Sequence, residues 1–249
     1  MIAASPEGDA RLYGVGVGPG DPELMTLKAH RLIAAADVVA YPMADFAGVD
    51  DTRANDSFAR RIAAHAIPMS AVEVPIVVPM RVARFPAQAV YDAAAATLDT
   101  HLERGACVVV LCEGDPFFYG SFMYLFARLS ARWPVEIVPG VTSMTACAAA
   151  AHRPLCARAE PVSVIPASAD VAPLRARLAQ GGAFAVMKVG RHLSAVRAAI
   201  ADAGLLERAQ YIAHASLPEQ VVCPLADAPA SAPYFSMVLI SGEDSYAGA

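Results

Sequence analysis

Ala106-Cys107-Val108-Val109-Val110-Leu111-Cys112-Glu113-Gly114-Asp115-Pro116-Phe117-Phe118-Tyr119-Gly120-Ser121 joins an unbroken apolar run to a turn that can continue neither as strand nor as helix. A short apolar run closed by turn residues reads as a strand buried on both faces, the kind found inside parallel sheets. Glu113 and Asp115 then stand at the strand's C-terminal edge, where the loops of an open α/β sheet diverge and ligands bind. The competing reading is an ordinary strand-to-helix turn with Asp115 as a cap.

Upstream, Arg11-Leu12-Tyr13-Gly14-Val15-Gly16-Val17-Gly18-Pro19-Gly20-Asp21 reads as a strand running into a glycine-rich loop, with Thr26 placed to cap a helix over residues 27–36. As a dinucleotide fingerprint it fails at Pro19, which stands where the third glycine is needed; as a triphosphate loop it lacks the Gly-Lys-Ser/Thr ending. Asp21 would also repel phosphate. The loop is built either for close contact with another kind of ligand or for a tight turn.

The remaining periodicity alternates strand and helix. Residues 37–42 read as a strand stopped by Pro42, 58–65 as a helix, and 72–80 as an edge strand punctuated by Pro75 and Pro79. A helix over 87–104 feeds the central strand; a helix over 122–132, a strand over 135–138 and an Ala-rich helix from Thr142-Ser143 to about 151 follow. Polar, turn-rich residues 43–57 are the best candidate for a segment covering a site. No clear period spans 152–161, so the boundary is expected there, giving domains 1–152 and 153–249. Beyond it the alternation resumes, with extra strands near the end, so two α/β domains are expected, the second with a mixed sheet.

Composition narrows the function. Hydrophobic residues make up 56% of 249 and the mean hydropathy is +0.43, which calls for large cores, yet the alanine runs 93–96 and 148–151 are too short to cross a bilayer. Residues 1–10 have neither a basic start nor an apolar centre, so a cytoplasmic location is expected. The five cysteines form no Cys-x-x-Cys pair and read as small buried hydrophobes, with no zinc site and no disulfide framework. A net charge of −5 argues against a nucleic-acid face. Lys28 and Lys188 are the only lysines; the abundant arginine suits capture of carboxylates, although GC-rich coding would produce the same bias. His152, His192 and His214 stand singly, without nucleophile or metal-ligand spacing, and no Gly-x-Ser-x-Gly elbow supports a hydrolase.

Three motifs in order, Gly16-Val17-Gly18-Pro19-Gly20-Asp21-Pro22, Glu113-Gly114-Asp115-Pro116-Phe117-Phe118-Tyr119-Gly120 and Val138-Pro139-Gly140-Val141-Thr142-Ser143, give the chain over nearly its whole length a resemblance to the tetrapyrrole (corrin/porphyrin) methylase family. The Ala40-Tyr41-Pro42 strand ending and the run from Tyr119 to Tyr124 are most similar to the branch that methylates precorrin-2 at C20. The resemblance implies two α/β domains with S-adenosylmethionine in the cleft between them, a small tetrapyrrole as substrate, and a homodimer with neither nucleic acid nor membrane as partner. It carries cofactor contact onto Pro19, Glu113, Gly114, Asp115, Phe118, Tyr119, Thr142, Ser143, Met187 and Ala215, the last standing where many relatives have glycine. Met187, at a strand end, reads on its own as core. Arg53, Arg81 and Arg84 are expected to anchor substrate carboxylates; no catalytic residue and no metal ligand is assigned. Alternatives are cobalt-factor II as substrate, another tetrapyrrole or ribosomal RNA as methyl acceptor, and a non-catalytic sensor on the same scaffold.

Overall fold

The computed structural model describes residues 10–45, 57–79 and 86–243, and these form two units, Met1–Thr142 and Ser143–Ala249. In the first, the strands β1 (Arg11–Gly16), β2 (Val38–Asp45), β3 (Val72–Pro79), β4 (Cys107–Cys112) and β5 (Val135–Val138) form a parallel sheet in the order β3-β2-β4-β1-β5. The apolar run quoted above is the middle strand. Its residues alternate between two cores: Val109 and Leu111 join one with the helices α1 (Leu27–Ala34) and α2 (Phe58–Ala63), while Val108, Val110 and Cys112 join the other with α3 (Pro86–Leu102) and α4 (Phe122–Leu129). A period of two with both faces apolar therefore buries the strand on both sides.

This topology locates a crevice. β1 and β4 are neighbours, yet β1 is followed by α1 on one face and β4 by α4 on the other. Beyond their first residues the two connections lead to helices on opposite faces of the sheet, the arrangement that opens a ligand crevice in doubly wound sheets. Thr26 caps α1 as expected, its Oγ1 accepting from the Ala29 N–H at 3.1 Å. Pro42 does not stop β2, which runs on to Asp45 beside β3. Its pairing with β4 ends at Ala40, so from Tyr41 onward one side of the strand is open and a missing N–H is tolerated. β3, with its two prolines, is an edge strand.

The second unit comprises α5 (Ser143–Ala150), β6 (Val162–Pro166), α6 (Ala172–Leu178), β7 (Ala183–Met187), α7 (Leu193–Asp202), β8 (Ala209–Ala213), β9 (Val221–Pro224) and β10 (Ser236–Ile240). Its sheet has the order β6-β7-β10-β8-β9 and is mixed, with β6 parallel to β7 and the other pairs antiparallel. The division between units falls at Thr142 rather than at residue 152, because α5 belongs to the second sheet: Cys147 packs with Ala185, Met187, Ile212, Met237 and Leu239. An Ala-rich helix has no strong apolar stripe to show from sequence which sheet it will cover. Cys112 and Cys147 are buried as expected, and burial pushes the Cys147 thiol up to about 12; Cys156 is exposed instead. Among the described residues no helix is long and apolar enough to cross a membrane.

Candidate functional site

Two strand ends of the first unit are tied together by backbone hydrogen bonds, and a third packs against them. The Gly114 N–H donates to the Gly18 carbonyl at 2.7 Å, and the Gly18 N–H returns a bond to the Gly114 carbonyl at 3.3 Å. Both residues are left-handed, with φ of +84° at Gly18 and +63° at Gly114, a conformation available to glycine without the Cβ penalty. The same Gly114 carbonyl is wedged between two further glycines. A Cβ on Gly16 would lie 2.5 Å from it and one on Gly140 only 2.0 Å. The loops after β1, β4 and β5 thus converge at a point with no room for side chains, and half-buried Pro19 leads away from it.

The two carboxylates close this knot rather than project from it. Asp115 Oδ1 accepts from the N–H groups of Phe117 at 2.8 Å and Phe118 at 3.1 Å, and its Oδ2 accepts from the Gly140 N–H at 3.1 Å. One side chain therefore shapes its own loop and fastens it to the β5 turn. Glu113 is part-exposed as a residue, and loss of water around its carboxyl raises its pKa, against a smaller opposing effect of the backbone N–H groups of Glu113 itself and of Ala59. Of the loop's aromatic residues, Phe118 is half-buried and Tyr119 is 43% exposed. Their rings meet edge to face at 5.2 Å, and Tyr119 holds a left-handed φ of +58°.

Thr142 ends the first unit, and Ser143 opens α5 in the second. Met187 is the last residue of β7, and its buried side chain shares a cluster with Cys147 and Met237, against which Ala215 packs. Met187 and Ala215 are thus brought together, with the Met187 side chain used as core. Residue 215 itself is not left-handed; the positive φ values fall at its flanks, +51° at His214 and +68° at Ser216, and at Lys188, +58°, directly after Met187. Backbone strain of this kind costs about 1–3 kcal/mol per residue and gathers at functional sites. Arg53, Arg81 and Arg84 lie outside the described residues.

Residues 11–229 match the family model of the Tetrapyrrole (Corrin/Porphyrin) Methylases. The chain belongs to this family. This methylase is 39% identical to a precorrin-2 C(20)-methyltransferase of Sinorhizobium sp, over 94% of its own length and 96% of that relative. It is 31% identical to a cobalt-precorrin-2 C(20)-methyltransferase of Salmonella typhimurium, over 96% and 99% of the two chains. In fold it is similar to a uroporphyrin-III C-methyl transferase from Thermus thermophilus complexed with S-adenyl homocysteine, with a TM-score of 0.64, 24% identity and coverage of 94% and 97%.

Sequence reasoning missed three structural features at or beside the candidate positions. Gly140 reads as one more turn residue, since nothing local reveals a carbonyl arriving from 26 positions upstream. The left-handed residues Lys188, His214 and Ser216 carry no glycine to announce them. Nothing local to Glu113 shows that the fold will strip water from its carboxyl and raise its pKa. That desolvation has a consequence for pH. A carboxyl with a raised folded-state pKa favours the native state while neutral, so its contribution is complete below the unfolded pKa of about 4.3 and is lost as pH rises through the folded value. Glu113→Gln, which is neutral at both pH values, is therefore expected to melt above wild type at pH 8, with the gain gone at pH 4. Equal differences at the two pH values, read by thermal melting, would refute this.

Proposed function

We propose that this protein is an S-adenosylmethionine-dependent C-methyltransferase of cobalamin biosynthesis that methylates precorrin-2 at C20 to give precorrin-3A. The observation that carries the reading is the 39% identity to a precorrin-2 C(20)-methyltransferase across almost the full length of both chains. The S-adenyl homocysteine in a methyltransferase of the same fold supports the choice of methyl donor.

The residues present fit such a cofactor. Its amino-acid end is zwitterionic and its adenosine carries hydroxyls and ring nitrogens, which a rigid loop can meet with backbone N–H and carbonyl groups. With the Asp115 and Met187 side chains engaged within the protein, and the Gly114 N–H and carbonyl paired with Gly18, the contacts assigned to Glu113, Gly114, Asp115 and Met187 are of shape and packing, beside main chain from Pro19 and Ala215. Phe118 and Tyr119 add apolar ring surface, and Thr142 and Ser143 add hydroxyls. S-adenosylmethionine supplies a methyl group on a sulfonium, and its transfer to an electron-rich carbon is an in-line displacement governed by proximity and alignment. The chain's task is accordingly to hold two ligands in register, and no side chain is assigned as acid or base.

Arg53, Arg81 and Arg84 anchor the substrate's carboxylates in this reading through charge-assisted, two-pronged hydrogen bonds. Alanine at all three is expected to raise the KM for the tetrapyrrole by about 10- to 100-fold, the loss of one or two such bonds, with the KM for S-adenosylmethionine unchanged; an unaltered tetrapyrrole KM removes them from the site. The protein acts in the cytoplasm, and as a homodimer whose mass light scattering of the purified protein checks.

The deciding experiment is anaerobic incubation with carbon-13 methyl-labelled S-adenosylmethionine and enzymatically generated precorrin-2, the product read by carbon NMR. One new methyl signal at C20 is expected. A signal at another carbon keeps the methylase and overturns the position. The Salmonella relative, named for a cobalt-containing substrate, makes cobalt-factor II the second arm; transfer only there reassigns the substrate, and cofactor binding without transfer in either arm favours a sensor.

A further inference from the structure

The second unit gathers basic and aromatic side chains at one edge of its sheet. β10 runs antiparallel to both β7 and β8, with Met237 opposite Met187 on one side and Ile212 on the other. The start of β10 therefore lies between the C-terminal ends of its two neighbours. Hydrogen bonds stitch together the segments that leave this edge. The His214 N–H donates to the Phe235 carbonyl at 3.0 Å, and the Val189 N–H to the Ser236 carbonyl at 3.3 Å. The Gly190 N–H donates to Ser236 Oγ at 3.2 Å, and that hydroxyl donates in turn to the Pro233 carbonyl at 2.7 Å. The turn Gly190–His192 is thus seated against Pro233 and Tyr234, where a Cβ on Gly190 would lie 3.8 Å from the Tyr234 Cα.

These segments carry one kind of chemistry. Lys188, Arg191, His192 and His214 bring basic groups, and no Asp or Glu occurs in residues 187–193, 213–218 or 233–236. Arg191 is exposed, and its Nε donates to His192 Nε2 at 3.4 Å. β7 and β8 stand two strand spacings apart across β10, roughly 10 Å, which spreads the cations along the edge instead of concentrating them at one point. Among them lie two rings, Tyr234 and Phe235, 52% and 39% exposed, that meet edge to face at 5.3 Å. Apolar ring surface bordered by spaced cations matches a flat ligand that carries several carboxylate arms, each arm able to take a charge-assisted hydrogen bond.

We propose that this edge of the second unit is a binding site for the tetrapyrrole substrate, with Lys188 and Arg191 as anchors for its carboxylates and Tyr234 as a surface for its rings. This rests on the substrate reading above and adds a set of anchors to the three arginines of the first unit. Met187 and Ala215, assigned to the methyl donor, belong to the same edge, so the acceptor is held beside the donor. The test measures kcat and the KM for precorrin-2 at two ionic strengths, together with S-adenosylhomocysteine binding by calorimetry. Lys188→Gln and Arg191→Gln are each expected to raise the precorrin-2 KM about 10-fold, the scale of one charge-assisted hydrogen bond. Lys188→Arg keeps the charge and stays within about threefold of wild type. Salt raises the wild-type KM by screening these pairs, and raises it less in the two Gln variants, which have fewer charges to screen. Tyr234→Ala raises the KM with the salt dependence of wild type. In all of them S-adenosylhomocysteine affinity and kcat at saturation stay within about twofold, which a merely structural role would not spare. A precorrin-2 KM within twofold of wild type in both Gln variants, or a rise with undiminished salt dependence, overturns the proposal and leaves the substrate reading intact. A wild-type protein that binds S-adenosylhomocysteine but methylates neither precorrin-2 nor cobalt-factor II overturns that reading, and this inference with it.

Discussion

Gly140→Ala is expected to destabilise the protein by roughly 3–5 kcal/mol and to abolish measurable S-adenosylhomocysteine binding. The new Cβ would stand 2.0 Å from the Gly114 carbonyl oxygen and 3.0 Å from two backbone atoms of Gly16. None of these atoms can swing aside as a side chain would, so at least one strand end must move by an ångström or more. Overpacking alone costs about 1–3 kcal/mol. Movement of the β5 turn also strips the Gly140 N–H from Asp115 Oδ2, a charge-assisted bond whose loss adds about 1.5–3 kcal/mol. For a chain of this size that corresponds to a fall in melting temperature of about 10 °C. Gly204→Ala is the control. Gly204 is left-handed at φ +71° with nothing within 4 Å of an added Cβ, so the substitution costs about 1–2 kcal/mol of backbone strain and leaves affinity unchanged. If the two variants behave alike in thermal melts and binding calorimetry, the convergence of loops at Gly140 has no functional weight.

The contrast between these two glycines marks what the sequence can and cannot disclose. The fold was legible because it rests on local signals: the apolar run 107–112, the prolines that confine β3 to an edge, the Thr26 cap, and the strict alternation of strand with helix. Each reports on its own neighbourhood. The limits of elements were less legible, as at Pro42, where tolerance depends on the absence of a neighbouring strand, and at α5, whose partner sheet lies wholly downstream. At the candidate site positions, the part each side chain plays in the fold was less legible. Glu113 and Asp115 read from their chemistry as carboxylates at a ligand-binding edge, with Asp115 as a cap the competing reading, and Met187 reads as core; the fold ties Asp115 to its own loop and to Gly140 and packs Met187 in the core of the second unit. Motif residues of this methylase are in that sense builders of a backbone surface. Chemistry-bearing side chains at a sheet edge can serve by shaping main chain, which no spacing rule reveals.

Asp115→Ala is expected to weaken S-adenosylhomocysteine binding by more than about 100-fold and to destabilise the first unit by about 2–4 kcal/mol. The carboxylate satisfies three N–H groups at once, those of Phe117, Phe118 and Gly140, and charged acceptors are worth about 1.5–3 kcal/mol per hydrogen bond. The lower total allows for water reaching the exposed loop amides once the side chain is gone. Asp115→Asn separates shape from charge. An amide has a single acceptor oxygen, so it can serve the Phe117 and Phe118 pair or Gly140, with its NH2 then facing a backbone N–H on the other side. Most of the affinity loss therefore persists in the isostere. Hydrogen exchange distinguishes this clamp from a direct ionic contact with the ligand. As a clamp, both variants lose protection at the Phe117, Phe118 and Gly140 amides even with no ligand present, and affinity falls in step with that protection. Were Asp115 instead a charged ligand contact, affinity would fall with the three amides as protected as in the wild type, and the carboxylate would have to be reassigned from the architecture of the loop to the recognition of the cofactor.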